Sequence, residues 1–131
     1  VKGQVKDSGV KGIYPLEFIK HMDLAYAAAD LVISRSGALS VSELSLVGKP
    51  VIFIPSPNVA EDHQTKNAMA YVSQNAALLL KDDKAIDQLG SMVHSLLGNQ
   101  EKRDHLSQAI KTLAKPEAAK DIVKVMEELI Q

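Results

Sequence analysis

Short apolar runs alternate with helix-length segments as far as Leu80, and this alternation restricts the fold more than any other feature of the chain. Gly12-Ile13-Tyr14, Leu31-Val32-Ile33-Ser34, Val51-Ile52-Phe53-Ile54 and Ala77-Leu78-Leu79-Leu80 read as strands. The second and third are β-branched or aromatic without clean polar alternation, the pattern of parallel strands covered on both faces. Between the runs, His21 to Ala29, Ala38 to Val47 and Asp62 to Gln74 have helical periodicity and the length of crossovers. Gly48-Lys49-Pro50 ends the middle helix with a left-handed cap and a residue that cannot continue it.

Beyond Leu80 the pattern is all helical. Ile86, Leu89, Val93, Leu96 and Leu97 make one apolar stripe stopped by Gly98, and Leu106, Ile110 and Leu113 make a second. Pro116 suits a first helical turn, and Ile122, Val125, Met126 and Leu129 make a third stripe. The expected fold class is α/β: a Rossmann-like three-layer αβα domain, right-handed βαβ units on a short parallel sheet of about four strands, and a helical C-terminal tail. Residues 1–131 read as a single domain with no internal repeat or linker, and Lys2 to Lys11 is too polar for a core and reads as a loop.

Composition removes several classes of function. With 15 Lys+Arg against 16 Asp+Glu, the chain lacks the basic excess of a nucleic-acid binder, so a bound anion must be held locally. The absence of Cys rules out disulfides and thiolate chemistry and fits a reducing compartment, making cytoplasm the default. No apolar run reaches the length of a membrane span, and Val1 to Val10 do not resemble a signal peptide. The chain does not begin with Met, which leads us to expect a processed product or a fragment.

In an open parallel sheet, ligands bind beyond the carboxyl ends of the strands. The segment after the second strand, Ser34-Arg35-Ser36-Gly37-Ala38-Leu39-Ser40-Val41-Ser42-Glu43, turns sharply into a helix through small residues. Ser36, Gly37 and Ala38 leave main-chain N–H groups open at the positive end of the helix dipole, a setting for a phosphate or diphosphate. Glu43 has two competing readings. Ser40-x-x-Glu43 matches a capping box, in which the carboxylate satisfies backbone donors. A carboxylate at this distance from a phosphate-binding helix start also suits a ribose diol.

The segment after the third strand carries Pro55 and Pro57, then Asp62 as an N-cap, with His63 and Gln64 in the first turn of the next helix, suited either to sugar hydroxyls or simply to solvent. Phe18 and Ile19, after the first strand, either border a pocket for a flat base or belong to the core; Tyr26 is expected only to pack its helix on the sheet. The four His residues have no metal-ligand spacing, so no metal is expected, and GxGxxG, P-loop and GxSxG patterns are all absent.

Phe18-Ile19, the run Ala29-Asp30-Leu31-Val32-Ile33-Ser34-Arg35-Ser36-Gly37-Ala38, Glu43, Gly48-Lys49-Pro50 and the run Asp62-His63-Gln64-Thr65-Lys66-Asn67-Ala68 come in an order and at separations that resemble the C-terminal domain of the MurG family, glycosyltransferase family 28. The resemblance covers Tyr14 to the C-terminus. It implies part of a GT-B fold whose C-terminal half binds UDP-N-acetylglucosamine, in an inverting transferase that converts lipid I to lipid II for peptidoglycan, the polymer behind bacterial cell shape and division. It further implies that Ile19 pairs with uracil through its backbone beside Phe18, that Ala38, Leu39 and Ser40 offer N–H groups to the diphosphate, that Glu43 holds the ribose hydroxyls, and that Gln64 contacts the hexose. His63 stands where many members have a second Gln.

Family members also have an N-terminal domain that binds the lipid acceptor, supplies the general base and faces the membrane, and a glycine-rich loop after the first C-terminal strand. Neither has a counterpart here. The expectation is therefore a donor-binding part that binds without turnover, with no catalytic residue of its own and no cofactor. In the full protein it would be peripheral on the inner face of the plasma membrane and reach lipid I through the missing domain, and its truncated sheet edge would be covered by a partner chain, a swap or further sequence. The competing expectations are a non-catalytic α/β interaction scaffold and a related nucleotide-sugar enzyme, such as another GT-B lipid glycosyltransferase or a UDP-N-acetylglucosamine epimerase.

Overall fold

A computed structural model describes residues 11–57 and 62–114. Its elements run α1 (Met22–Ala28), β1 (Val32–Ser34), α2 (Ala38–Val47), β2 (Val51–Phe53), α3 (His63–Val72), β3 (Leu78–Leu79), a 3-10 turn (Asp82–Lys84), α4 (Ala85–Leu97) and α5 (Gln100–Thr112). The strands form one parallel sheet in the order β1-β2-β3, with Val32 opposite Val51 and Ile52 opposite Leu78. Because neighbouring strands are parallel, each connection needs a crossover, and α2 and α3 provide them. The ladder continues past the strand ends: the Ile54 N–H donates to the Ser34 carbonyl at 2.9 Å and the Leu80 N–H to the Phe53 carbonyl at 2.9 Å.

The central strand carries the core. Val51, Ile52 and Phe53 are all fully buried, and their alternation sorts them onto two faces. Val51 and Phe53 pack with Val41, Leu44, Ala68 and Ile110, so α2, α3 and the end of α5 cover one side. Ile52 and Ile54 pack with Leu80, Leu96 and Leu106, so α4 and the middle of α5 cover the other. The three-layer αβα architecture read from the sequence is present. Burying a side chain such as Phe53 contributes about 1.5–3 kcal/mol, and its ring meets Tyr71 in a tilted arrangement with centroids 6.2 Å apart.

The sheet has three strands among the described residues, one fewer than expected. Gly12-Ile13-Tyr14 is not a strand: Gly12 turns the chain at φ +89°, and Ile13 and Tyr14 are 54% and 81% exposed. Tyr14 precedes Pro15, which has no N–H for a ladder, and no described strand lies beside this run. Among the described residues β1 lies at the sheet edge, covered less fully than its composition implied, with Ile33 exposed. Within the α4 stripe, Leu96 is buried, whereas Ile86 is 98% exposed and Leu97 also faces solvent. The loop reading of Lys2 to Lys11 falls almost wholly outside the described residues, as does the stripe of Ile122, Val125, Met126 and Leu129.

Gly48 ends α2 in the left-handed conformation, φ 74° and ψ 25°, and donates its N–H to Leu44 at 3.1 Å, as the Gly-Lys-Pro sequence predicts. The Lys111 side chain lies where a Cβ on Gly48 would project, and Ser107 donates its hydroxyl to the Gly48 carbonyl, tying α5 to the α2–β2 turn.

Candidate functional site

The carboxyl ends of β1 and β2 open onto a rim whose loops are joined by side chains. Gln64, in the first turn of α3, accepts at Oε1 from the Ser56 N–H at 2.8 Å and from the Ser36 N–H at 3.3 Å. Two donors on one oxygen fix the carboxamide orientation, so Nε2 is turned away as a donor, 4.0 Å from where a Cβ on Gly37 would stand. Ser36 is fully buried; its hydroxyl donates to the Gln64 carbonyl at 2.7 Å, and its own carbonyl accepts from Asn67 Nδ2 at 3.0 Å. The turn before α2 is therefore locked onto the start of α3.

Arg35 extends the lock to the third strand. Its Nη1 donates to the Ile54 and Pro55 carbonyls at 3.2 and 3.4 Å and pairs with Asp82 Oδ1 at 2.5 Å. The pair is solvent-exposed, so its value is geometric more than energetic. Beside this frame lies a cavity of about 460 Å³ bordered by Ser56, Pro57, Asp62, Thr65, Lys81 and Asp82. A hollow of about 560 Å³ runs along α4 near Asp87, Gln88 and Met92, and no residue singled out by the sequence motifs borders it.

The α2 start is open. Gly37 is the N-cap, in an extended conformation at φ −62° and ψ 158°, and makes no side-chain capping bond; its carbonyl accepts from the Val41 N–H at 3.0 Å. The N–H groups of Ala38, Leu39 and Ser40, in the first turn, have no intrahelical acceptor. Ala38 and Leu39 are exposed, and no acidic residue stands in the first turn to offset the helix dipole.

This geometry removes the capping-box reading of Glu43. Ser40 is the third residue inside α2, so it cannot be the N-cap that a Ser40-Glu43 capping box requires. Glu43 Oε2 instead accepts from the Tyr26 hydroxyl at 3.1 Å. Tyr26 therefore does more than pack α1 on the sheet, a correction to the sequence reading. Burial, then the charge of Glu43 and the hydrogen bond to it, push the Tyr26 phenol up to about 12.

Two other expectations change. Asp62 occupies the N-cap of α3 but in a left-handed conformation, φ 56° and ψ 38°, and it makes no capping bond to the backbone; its carboxylate takes the Thr65 hydroxyl at 2.7 Å. Phe18 and Ile19 belong to no core: they are 80% and 38% exposed on the segment leading to α1. Ser36, Gly37 and Gln64 are thus brought together, with Ala38, Leu39 and Ser40 continuing from that turn and Glu43 farther along α2. His63 is exposed at the start of α3. Sequence reasoning missed Arg35, Asn67 and Tyr26. The first two sit inside the very runs that drew notice, and their polarity next to a sheet rim was the available signal.

Among the described residues no three His, Asp or Glu side chains gather as a metal site, and no helix is long and apolar enough to cross a membrane.

Residues 2–124 match the glycosyltransferase family 28 C-terminal domain. The UDP-N-acetylglucosamine--N-acetylmuramyl-(pentapeptide) pyrophosphoryl-undecaprenol N-acetylglucosamine transferase of Flavobacterium psychrophilum is 56% identical over 124 residues, covering 95% of this chain and 34% of that protein. The enzyme of the same name from Porphyromonas gingivalis is 52% identical over 118 residues, covering 90% and 31%. The crystal structure of Acinetobacter baumannii MurG superposes with a TM-score of 0.72 at 30% identity, over 86% of this chain and 33% of that one. The chain spans about a third of the length of the relatives it matches. With nearly its whole length matched by the family model, the chain belongs to the glycosyltransferase family 28 C-terminal domains, of the MurG type.

Proposed function

We propose that this chain is the donor-binding part of the N-acetylglucosaminyltransferase that makes lipid II, and that UDP-N-acetylglucosamine lies across the rim at the α2 start. The observation that carries the reading is the uncapped first turn of α2, held against Gln64 by Ser36 and Asn67. A diphosphate there accepts from the N–H groups of Ala38, Leu39 and Ser40, each charge-assisted bond contributing about 1.5–3 kcal/mol.

In this reading the helix start does the chemical work available to the chain. As the bond from the sugar anomeric carbon to the diphosphate breaks, negative charge grows on the leaving UDP, and preoriented amides stabilise it without reorganising and without a metal. Gln64 Nε2 and His63 face the hexose, Glu43 accepts from the two ribose hydroxyls, and the Ile19 backbone with Phe18 receives the uracil. The acceptor, an undecaprenyl-pyrophosphoryl N-acetylmuramyl pentapeptide as in the relatives' name, and the base that activates its hydroxyl come from the rest of the enzyme. That enzyme works at the cytoplasmic face of the membrane, where its lipid acceptor is held.

Titration calorimetry of the chain with UDP-N-acetylglucosamine tests the reading. Binding by the native chain and a loss of about tenfold or more in Glu43→Ala are expected; absence of binding, or equal affinity in the two proteins, removes respectively the donor site and the ribose role. A second reading, a non-catalytic module that pairs through its sheet, draws on the open β1 edge and exposed Ile33. It predicts a stable dimer with no affinity for UDP, which sedimentation run beside the titration resolves.

A further inference from the structure

Glu43 lies within α2, and nothing on its own helix holds its carboxylate. Among the described residues the ion pair is Arg35 with Asp82, and Glu43 makes none. Its partner is a neutral phenol delivered from another helix, 17 residues earlier in the chain. We infer that Tyr26 is a positioning residue, which fixes the Glu43 carboxylate in one orientation so that its remaining acceptor sites meet the two hydroxyls of a nucleotide ribose. The inference rests on the ribose reading of Glu43 given above.

Three features carry it. A carboxylate offers about four lone-pair sites, and the Tyr26 bond uses one of those on Oε2, leaving Oε1 whole for a pair of adjacent hydroxyls. A glutamate side chain is among the richest in rotamers, so ordering it before the ligand arrives lowers the entropic cost of binding. The anchor is itself rigid: Tyr26 packs against the core cluster that contains Val41 and Leu44 of α2. Its phenol, raised to about 12, stays a donor throughout the neutral range. An arginine at this place would hold the carboxylate more strongly but would take both oxygens in a bidentate pair. A lone hydroxyl orients the group and leaves it available.

Tyr26→Phe keeps the ring and deletes only the donor. The test uses the whole chain and two probes, UDP and 2′,3′-dideoxyuridine 5′-diphosphate, with affinities measured by calorimetry and folding followed by circular dichroism. The native chain prefers UDP, and Glu43→Ala erases the preference. Tyr26→Phe reduces the preference by about tenfold while its affinity for the dideoxy probe stays within twofold of the native value. The double variant Tyr26→Phe/Glu43→Ala matches Glu43→Ala alone, because the phenol acts only through the carboxylate.

If Tyr26→Phe weakens both probes equally, the residue is merely structural; if it keeps the full preference while Glu43→Ala loses it, the positioning role fails and the ribose role stands. A native chain that treats the probes alike overturns both. Should Tyr26→Phe unfold, Tyr26→Leu and Tyr26→Met give the same reading: a folded variant without the donor that retains the preference defeats the inference.

Discussion

Two helix starts in this molecule solve the same problem in opposite ways. At α5, Asn99 Oδ1 accepts from the Lys102 N–H at 3.0 Å, and Glu101 in the first turn offsets the dipole. At α2, the N-cap is a glycine with no side chain to give, the first turn has no acid, and the flanking hydroxyls are engaged elsewhere: Ser34 donates to the Arg35 carbonyl and Ser36 to the Gln64 carbonyl. A serine, asparagine or aspartate at Gly37 would stabilise the helix in isolation. The α5 start is finished by its own side chains, whereas the α2 start is held rigidly in place and left unfinished, the arrangement expected where the remaining acceptors belong to a ligand.

The comparison breaks most sharply at Gly37. Its extended conformation suits any residue, and a Cβ there meets only Gln64 Nε2 at 4.0 Å, so Gly37→Asp folds and gains a few tenths of a kcal/mol from capping. The new carboxylate occupies the amides and repels the diphosphate, a like-charge contact costing several kcal/mol, so affinity for UDP falls by about a hundredfold or more. Thermal unfolding and calorimetry on the same sample check both halves. A more stable protein with undiminished affinity would show that the open turn is not where the anion binds.

Next in size is Gln64→Leu. It strands the N–H groups of the fully buried Ser36 and the half-buried Ser56, each costing about 1–3 kcal/mol when unpaired. Urea unfolding should show a loss of about 2 kcal/mol or more, with hydrogen exchange at these two amides accelerating first. Asn99→Ala is the control at the finished helix start: about 1 kcal/mol of stability is lost and the affinity for UDP is unchanged. If Asn99→Ala weakens UDP binding as Gly37→Asp does, the contrast between the two starts has no functional content.

How much of this was legible beforehand follows from the range of the interactions. β2 was readable because Val51, Ile52 and Phe53 are apolar on both faces, and the end of α2 because Gly48 and Pro50 act locally. The α2 turn was readable because Ser36-Gly37-Ala38 has a local conformational meaning. The capping box misled because Ser40-x-x-Glu43 is equally a local pattern, and only the true helix start, three residues earlier at Gly37, shows that it is not used. The Tyr26–Glu43 and Arg35–Asp82 bonds span 17 and 47 residues, and no spacing rule reaches across a β-strand to pair them. Gly12-Ile13-Tyr14 has the composition of a strand, but a strand needs a neighbour, and composition cannot supply one.

The smallest effect lies at the Tyr26 bond that sharpens the contrast by ordering the one carboxylate α2 does present. The phenol is raised from 10.0 to about 12, first by burial and then by the charge of Glu43 and the hydrogen bond to it. Between these values the folded chain holds a proton that the unfolded chain has released, so stability falls as pH rises through this window. The contribution is complete below pH 10.0 and gone once the folded phenol ionises near 12. The informative quantity is a difference between variants, which cancels whatever alkaline slope they share. Urea midpoints taken from pH 9 upward should decline less steeply for Tyr26→Phe than for the native chain. Parallel decline of the two would mean that the Tyr26 phenol ionises alike in the folded and unfolded chains, and that the bond to Glu43 does not hold it.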